Sequence, residues 1–531
     1  MDRIHAECLV IGSGIAGLTF ALKAAEFCEV IILTKTNAET ANTFWAQGGV
    51  AAVTDPDDSF EEHEADTLRA GDGLCHPEVV RVVVEEAPER IRELAALGAP
   101  FDRRPDGSLE LVREGGHGKK RILHVGDRTG EAIMQTLLAA CRAHARIKIW
   151  ENIFAVDLIT QHHLGRYVNR GHPDIECYGV YALDLATRKV VTILARYTVL
   201  ATGGSGNVYA STTNPPVATG DGVAMVYRAK GRVANMEFYQ FHPTALYDPG
   251  VRPAFLITEA LRGKGAYLRN SYSKQRFMHR YDERLELAPR DVVARAIDNE
   301  LKHSGTPFVY LDATHLDAQE LKREFPTIYA YCLNKGLDIA RDMIPVVPSA
   351  HYQCGGIHTD VYARTSIHRL YAIGECAHTG LHGANRLASN SLIEGMVFAH
   401  RAALDIKLHG RDVRSPDNIP DWNDTGYANP EEWVLISHNL TELQNIMSNY
   451  VGIVRTNLRL ERAYRRIELI YRETEAFYRR HKLSPELCEL RNLIVVAYLI
   501  VKCAGIRKES RGLHYNTDYP HKLPVAYDTL L

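Results

Sequence analysis

The sequence predicts an α/β fold in which a Rossmann-like dinucleotide-binding domain carries an inserted α+β capping domain and a C-terminal helical domain. Three observations predict it. The first 35 residues read as apolar strand, glycine turn, helix and apolar strand. Two later stretches, 197–210 and 369–395, repeat the design of an apolar strand running into glycines. From Trp433 onward, apolar residues recur at helical spacing.

Taken in order, ECLVIG, GLTFALKAAEF and EVIILTK form a βαβ unit of ordinary length, and a parallel sheet follows from it. YTVLATGGSGNVYA (197–210) and RLYAIGECAHTGLHGANRLASNSLIEG (369–395) then supply two further edges of the same nucleotide site, so residues 1–234 and 354–408 make one discontinuous domain. Residues 235–353 become an inserted domain covering the site. Residues 409–432, polar and containing three prolines, read as a linker. Leu440, Leu443, Met447, Val451, Val454 and Leu458 mark a helical domain over 433–531.

Composition narrows the function classes. With 62 basic and 65 acidic residues and no long block of either sign, the chain carries no nucleic-acid footprint. Its ten cysteines form no C-x-x-C pair and no metal-ligand spacing, which suits a reduced, cytoplasmic chain without its own zinc or iron–sulfur centre. Asp2 and Glu7 spoil a signal-peptide reading of the early apolar run, and LIVVAYLIV (493–501) is too short to cross a bilayer.

Gly12-Ser13-Gly14-Ile15-Ala16-Gly17 follows a strand and opens a helix, the context that gives G-x-G-x-x-G its meaning. Gly12 permits the tight turn, Gly14 admits a pyrophosphate, and Gly17 lets helix lie on strand. The helix N-terminus offers N–H donors to phosphate. The acidic ribose reader expected at the end of the second strand is absent; Leu33-Thr34-Lys35 stands there, which argues against an ordinary NAD site. Lys35 could contact adenosine hydroxyls or a phosphate. Thr43-Phe44-Trp45-Ala46-Gln47-Gly48-Gly49 offers a seat for a flavin ring and its ribityl chain.

Together with ATGG (201–204) and GEC…NRLASNSL (374–392), these motifs resemble the FAD-binding pattern of the succinate dehydrogenase and fumarate reductase flavoprotein family. HEADTLRAG, QFHPTAL, TEALRGKGAYL, LAPRDVVARAI, PSAHYQCGGI and ESRGLHYNTDYP are most similar to the branch that oxidises L-aspartate. The resemblance spans nearly the whole chain. It implies FAD contacts from the residues above and from Asn42, Ala201, Thr202, Gly203, Asp221, Glu375, Ser391 and Leu392. Members in membrane respiratory complexes carry a covalently flavinylated histidine where this chain has Asn42, so FAD is expected to be non-covalent.

The resemblance also implies a substrate site of His242, Thr258, His351 and Arg386, with Arg290 as proton donor and acceptor fed by Glu259 and Arg262. Arg386 presents a planar fork suited to a carboxylate. Pro289 is expected at the first helical position, which puts Arg290 in the first turn, where the helix dipole disfavours a cation. In the loop REGGHG (113–118) the dehydrogenase and fumarate reductase relatives carry an apolar residue, and this chain carries Glu114. A carboxylate there suits a dicarboxylate that brings its own ammonium. His117 stays open between loop anchor and hydrogen-bond donor.

The implied reaction is FAD-dependent oxidation of L-aspartate to iminoaspartate. Oxygen or fumarate would reoxidise the flavin, and iminoaspartate would pass to quinolinate synthase for NAD biosynthesis. Glu114 or solvent takes the amine proton. The chain would act as a monomer or homodimer. The rival readings are the flavoprotein subunit of a succinate dehydrogenase or fumarate reductase complex and a catalytically silent FAD-binding protein.

Overall fold

The structure, a computed structural model, describes residues 3–410, 415–426 and 433–531. A seven-stranded sheet forms its centre. Ile147–Glu151, Val30–Thr34, Ile4–Ile11, Lys189–Leu200, Gly179–Asp184 and Ile153–Ile159 are neighbours in that order, and Leu370–Ala372 pairs with the end of Lys189–Leu200. The first four run parallel. The last two are antiparallel, an extension that the βαβ pattern at the start of the chain does not contain.

Val30–Thr34 is buried along its whole length, as a central parallel strand covered on both faces must be. Alternate residues feed two cores. Cys8, Val10, Val30 and Ile32 point to the helices Ile15–Ala24, Pro77–Ala96, Thr129–Ala143 and Asn390–His409. Leu9, Ile11, Ile31 and Leu33 point to the helix Asp221–Arg228 and to the C-terminal helices Val434–Tyr450, Asn457–Tyr478 and Pro485–Ile506. The C-terminal helices therefore share one apolar cluster with the sheet instead of enclosing a core of their own.

Between these parts sits an α+β unit. Tyr239–Leu246, Ile344–Gln353, Val309–Asp312 and Tyr267–Arg269 form an antiparallel sheet packed by the helix Arg290–Ser304. Its core, from Leu246 to Val346, is a separate apolar cluster.

Three local expectations are corrected. The helical spacing from Leu440 to Leu458 is not one helix: the first helix stops at Tyr450, Val454 enters a short strand, and Leu458 is 56% exposed at the start of the next. Pro289 is the N-cap of its helix, which makes Arg290 the first helical residue. Of the linker 409–432, residues 411–414 and 427–432 lie outside the described residues, and 415–426 is docked: Ile419 is buried against the sheet edge and Tyr181 donates to the Pro420 carbonyl at 2.6 Å. Among the described residues no helix is long and apolar enough to cross a membrane.

Candidate functional site

A cavity of about 1050 Å³ opens at the carboxyl ends of the parallel strands, beneath the α+β unit. The glycine turn forms its floor. Gly12 has φ +111°, and a Cβ there would lie 2.1 Å from the Ala201 carbonyl oxygen. A Cβ on Gly17 would lie 2.1 Å from the Gly12 carbonyl oxygen, so Gly17 sits behind the turn, where helix meets strand. A Cβ on Gly14 would meet nothing nearer than Thr43 Oγ1 at 3.4 Å, which leaves its cavity side open. Ser13 Oγ donates to the Ala38 carbonyl at 2.9 Å and the Ile15 N–H donates to Thr43 Oγ1 at 3.1 Å, fixing the turn. Ile15 and Ala16 bring the uncapped first turn of their helix to the cavity wall.

Lys35 differs from the expectation. Its ammonium lies 2.5 Å from Glu489, 2.9 Å from Asp221 and 2.7 Å from Thr219 Oγ1, so its three donors are committed to the protein. Burial opposes its charge, but Asp221 and Glu489 outweigh burial and hold it protonated. What Lys35 does in this geometry is hold Asp221 at the cavity rim, with help from Thr219 and Asn492.

Asn42 opens the short helix Asn42–Trp45 and donates to Glu375 Oε2 at 2.8 Å, while its own Oδ1 is buried without a partner. Phe44 meets Trp45 edge-on, and Trp45 stands half exposed at the mouth. Ala46, Gln47, Gly48, Gly49, Ala201, Thr202, Gly203, Ser391 and Leu392 complete this part of the wall. The glycine floor, the open first helical turn and the orphaned Asn42 oxygen fit a dinucleotide with a hydrogen-bonding ring.

Burial pushes the Glu375 carboxyl up to about 7, against the hydrogen bonds from Asn42 and the Gln353 N–H. A folded-state pKa raised from the ordinary 4.5 stabilises the fold fully below that value, and the contribution is lost as pH rises through 7. Glu375→Gln in the apoprotein should therefore remove roughly 3 kcal/mol of pH-dependent destabilisation between these limits. Denaturant melts of wild type and variant across that range check it; parallel stability curves would refute it.

At the other end, Glu114, His242, Thr258, Glu259, Arg290, His351 and Arg386 line the same cavity. His242 and His351 come from paired strands. The register slips between Gln240 and Phe241, leaving His351 without an opposite residue and bringing its ring to 5.7 Å from that of His242. Burial first, then Arg290 for His242 and Arg386 with Arg290 for His351, push both imidazoles well below their ordinary value. The Thr244 N–H donates to His242 Nδ1 at 3.3 Å, which places the proton of the neutral ring on Nε2 as a donor. His351 Nδ1 bonds Thr213 Oγ1 at 2.8 Å. Thr258 caps the helix Glu259–Gly263.

Arg290 Nε donates to Glu259 Oε2 at 2.7 Å, and Arg262 Nη2 lies 3.8 Å from the same oxygen. Arg262 is off the cavity. It is fully buried behind Glu259, donates to the Glu286 carbonyl at 2.7 Å, and leaves Nε and Nη2 without a hydrogen bond. Burial pushes the Glu259 carboxyl up, but the two arginines outweigh it and hold it ionised. Burial opposes the charge of Arg290, yet Glu259 and Glu114 keep that guanidinium firmly protonated. Arg386 is held by Gln240 Oε1 at 2.9 Å and Ser391 Oγ at 2.9 Å, and lies over the Tyr352 ring.

Glu114 Oε2 accepts from Ser389 Oγ at 2.6 Å, which fixes its carboxylate on the cavity wall. The loop that carries it is tightly placed. A Cβ on Gly115 would lie 2.7 Å from Glu259 Oε1. His117 is a buried anchor, bonded to the Ala388 carbonyl at 2.9 Å and to Arg121, which in turn pairs with Asp58 and Asp66. Gln240, Ser389, Thr213, Tyr352 and Glu489 are contributors that the sequence reading missed. Only Gln240 left a local signal, two residues before His242 on one strand face.

The chain matches the FAD binding domain family over residues 7–392 and the fumarate reductase flavoprotein C-terminal family over 440–528. It is 51% identical to L-aspartate oxidase 1 of Ralstonia nicotianae, over 99% of this chain and 97% of that one. It is 50% identical to L-aspartate oxidase of Pseudomonas aeruginosa over the same shares. A mutant of the E. coli quinol fumarate reductase flavoprotein superposes with a TM-score of 0.87 at 30% identity, over 100% of this chain and 94% of that one. The cofactor is FAD, which the glycine turn and the wall from Asn42 to Gly49 are placed to hold. Matched by domain families over residues 7–392 and 440–528 and by relatives over 99% of its length, the chain belongs to the succinate dehydrogenase and fumarate reductase flavoprotein family, on its L-aspartate oxidase branch.

Proposed function

We propose that the chain oxidises L-aspartate to iminoaspartate, with oxygen or fumarate as the final acceptor, in the quinolinate branch of NAD biosynthesis. One observation carries the substrate: a carboxylate, Glu114, fixed by Ser389 on the wall of a cavity that Arg290 and Arg386 make cationic. Arg386 takes one substrate carboxylate by its fork, and the Nε2–H of His242 with His351 and Thr258 takes the other. Glu114 holds the ammonium, whose proton leaves to Glu114 or to solvent before Cα is oxidised. When bound, FAD supplies the hydride acceptor.

In the fumarate direction Arg290 delivers a proton to carbon, and Glu259 with Arg262 behind it restores the charge. Asn42 lacks the nucleophilic ring nitrogen that a covalent flavin link needs, so FAD is held by contacts alone. Product is handed to quinolinate synthase in the cytoplasm.

The test is anaerobic addition of L-aspartate or succinate to the flavoprotein. L-Aspartate bleaches the flavin and succinate does not, and acid precipitation leaves all flavin in the supernatant. Equal bleaching by succinate would instead support a subunit of a succinate dehydrogenase or fumarate reductase complex, the reading favoured by the close superposition alone. No bleaching by either would sink both.

A further inference from the structure

A second cavity, about 340 Å³, lies away from the FAD site between the helices Ile15–Ala24 and Pro77–Ala96, with Leu137 and Met396 at its back. Lys23 and Arg90 face Glu93 and Glu26 there, but the buried hydrogen-bond donors are not all met. Arg90 is 6% exposed, and neither its Nε nor its Nη1 makes a hydrogen bond, although Nε lies 3.0 Å from Glu93 Oε2. Lys23 draws on the other oxygen of that carboxylate at 2.5 Å. One carboxylate thus serves two cations. Thr19 Oγ1, on the facing helix, is also buried without a partner.

Of the nearby carboxylates, Glu86, one turn before Arg90 on the same helix, accepts from Arg401 Nη1 at 2.5 Å. Glu26 stands at the exposed rim with Lys407 Nζ 3.9 Å from its carboxylate. Burial and the charges of Arg90 and Lys23 push the nearby His400 down to about 4, so it is neutral. Leu94, Leu137 and Met396 give the interior an apolar wall, and half-exposed Leu97 stands at the mouth. Buried donors left unpaired are costly, and a fold that retains several at one cavity is built to have them met.

We propose that this cavity is a second ligand site, taking a small single-ring or branched monocarboxylate. Its anionic end meets Arg90 and Thr19, and its apolar body lies against Leu94, Leu137 and Met396. A monoanion can meet the unbonded Arg90 donor, and a dicarboxylate would bring a second charge against the apolar wall. The site touches function through its walls. The helix Ile15–Ala24 begins at the phosphate-binding turn, and Asn390–His409, which carries Met396, begins beside Ser389.

The experiment is a fluorine NMR titration of the holoenzyme with para-fluorobenzoate, in an Arg386→Leu background so that the catalytic cavity lacks its carboxylate fork. Saturable binding is expected, weakened about 10- to 100-fold by adding Arg90→Met. Leu97→Trp, which closes the mouth and keeps every charge, should abolish it and decides the matter if Arg90→Met fails to fold. Arg90→Met in the otherwise unaltered enzyme should keep its kcat/KM for L-aspartate. Absence of saturable binding, equal affinity after Arg90→Met or Leu97→Trp, or equal binding of neutral para-fluorotoluene would each overturn the proposal.

Discussion

Arg290→Leu should lower the rate of fumarate reduction by about 10²- to 10⁴-fold, the usual contribution of a positioned general acid, while FAD stays bound and oxygen still reoxidises the flavin. Arg290 is the first residue of its helix, where the dipole opposes a cation, and it is held there by Glu259 at 2.7 Å. Position and partner pull in opposite directions on its proton. Removing the guanidinium strips Glu259 of its nearer cation and leaves Arg262 at 3.8 Å, so the Glu259 carboxyl should rise in pKa as its charge loses support. Arg290→Lys keeps a point charge but not the planar fork, and should restore little of the rate. Rapid mixing of reduced enzyme with fumarate, and separately with oxygen, checks this. An undiminished fumarate rate would remove the proton role from Arg290.

Glu114→Gln should slow L-aspartate oxidation by about 10- to 100-fold, the loss of one charge-assisted bond of about 1.5–3 kcal/mol, and spare fumarate reduction. The substitution keeps the length of the side chain and its bond with Ser389, 2.6 Å away, so the loop should stay seated on its Arg121 anchor. Only the charge disappears. Fumarate brings no ammonium to the site, and Arg290 keeps Glu259, its nearer carboxylate, so that half-reaction loses little. Steady-state rates for both half-reactions decide between this and a purely structural loop acid: equal losses would discard Glu114 as the reader of the amine.

The legible parts of this protein were those fixed by neighbours in sequence. Gly12 and Gly17 could be read because their need for glycine is set by a turn and a helix start within a few residues. The unbroken apolar runs of the first strands, CLVI and VIIL, suited a parallel sheet covered on both faces. What could not be read are contacts joining distant residues. Lys35 meets Glu489 across 454 positions, and Ser389 meets Glu114 across 275. Arg262 was placed with its relay but not behind it, since three residues of helical spacing from Glu259 cannot tell a cavity-facing side chain from a buried one. The apolar repeat after Trp433 misled at Leu458 because helical spacing persisted across a break between two helices.

The shared core beneath the sheet also has a consequence for how the protein is made. The nucleotide cleft starts at Gly12, but its rim is tied through Lys35 to Glu489, and the sheet face beneath it is covered by helices from residues 434–506. A ribosome that has released only the first four hundred residues has exposed a glycine turn whose supporting face is still wet. The cofactor should therefore be captured late, once the C-terminal helices have emerged and docked. FAD loading then follows the docking of these helices rather than the folding of the glycine turn.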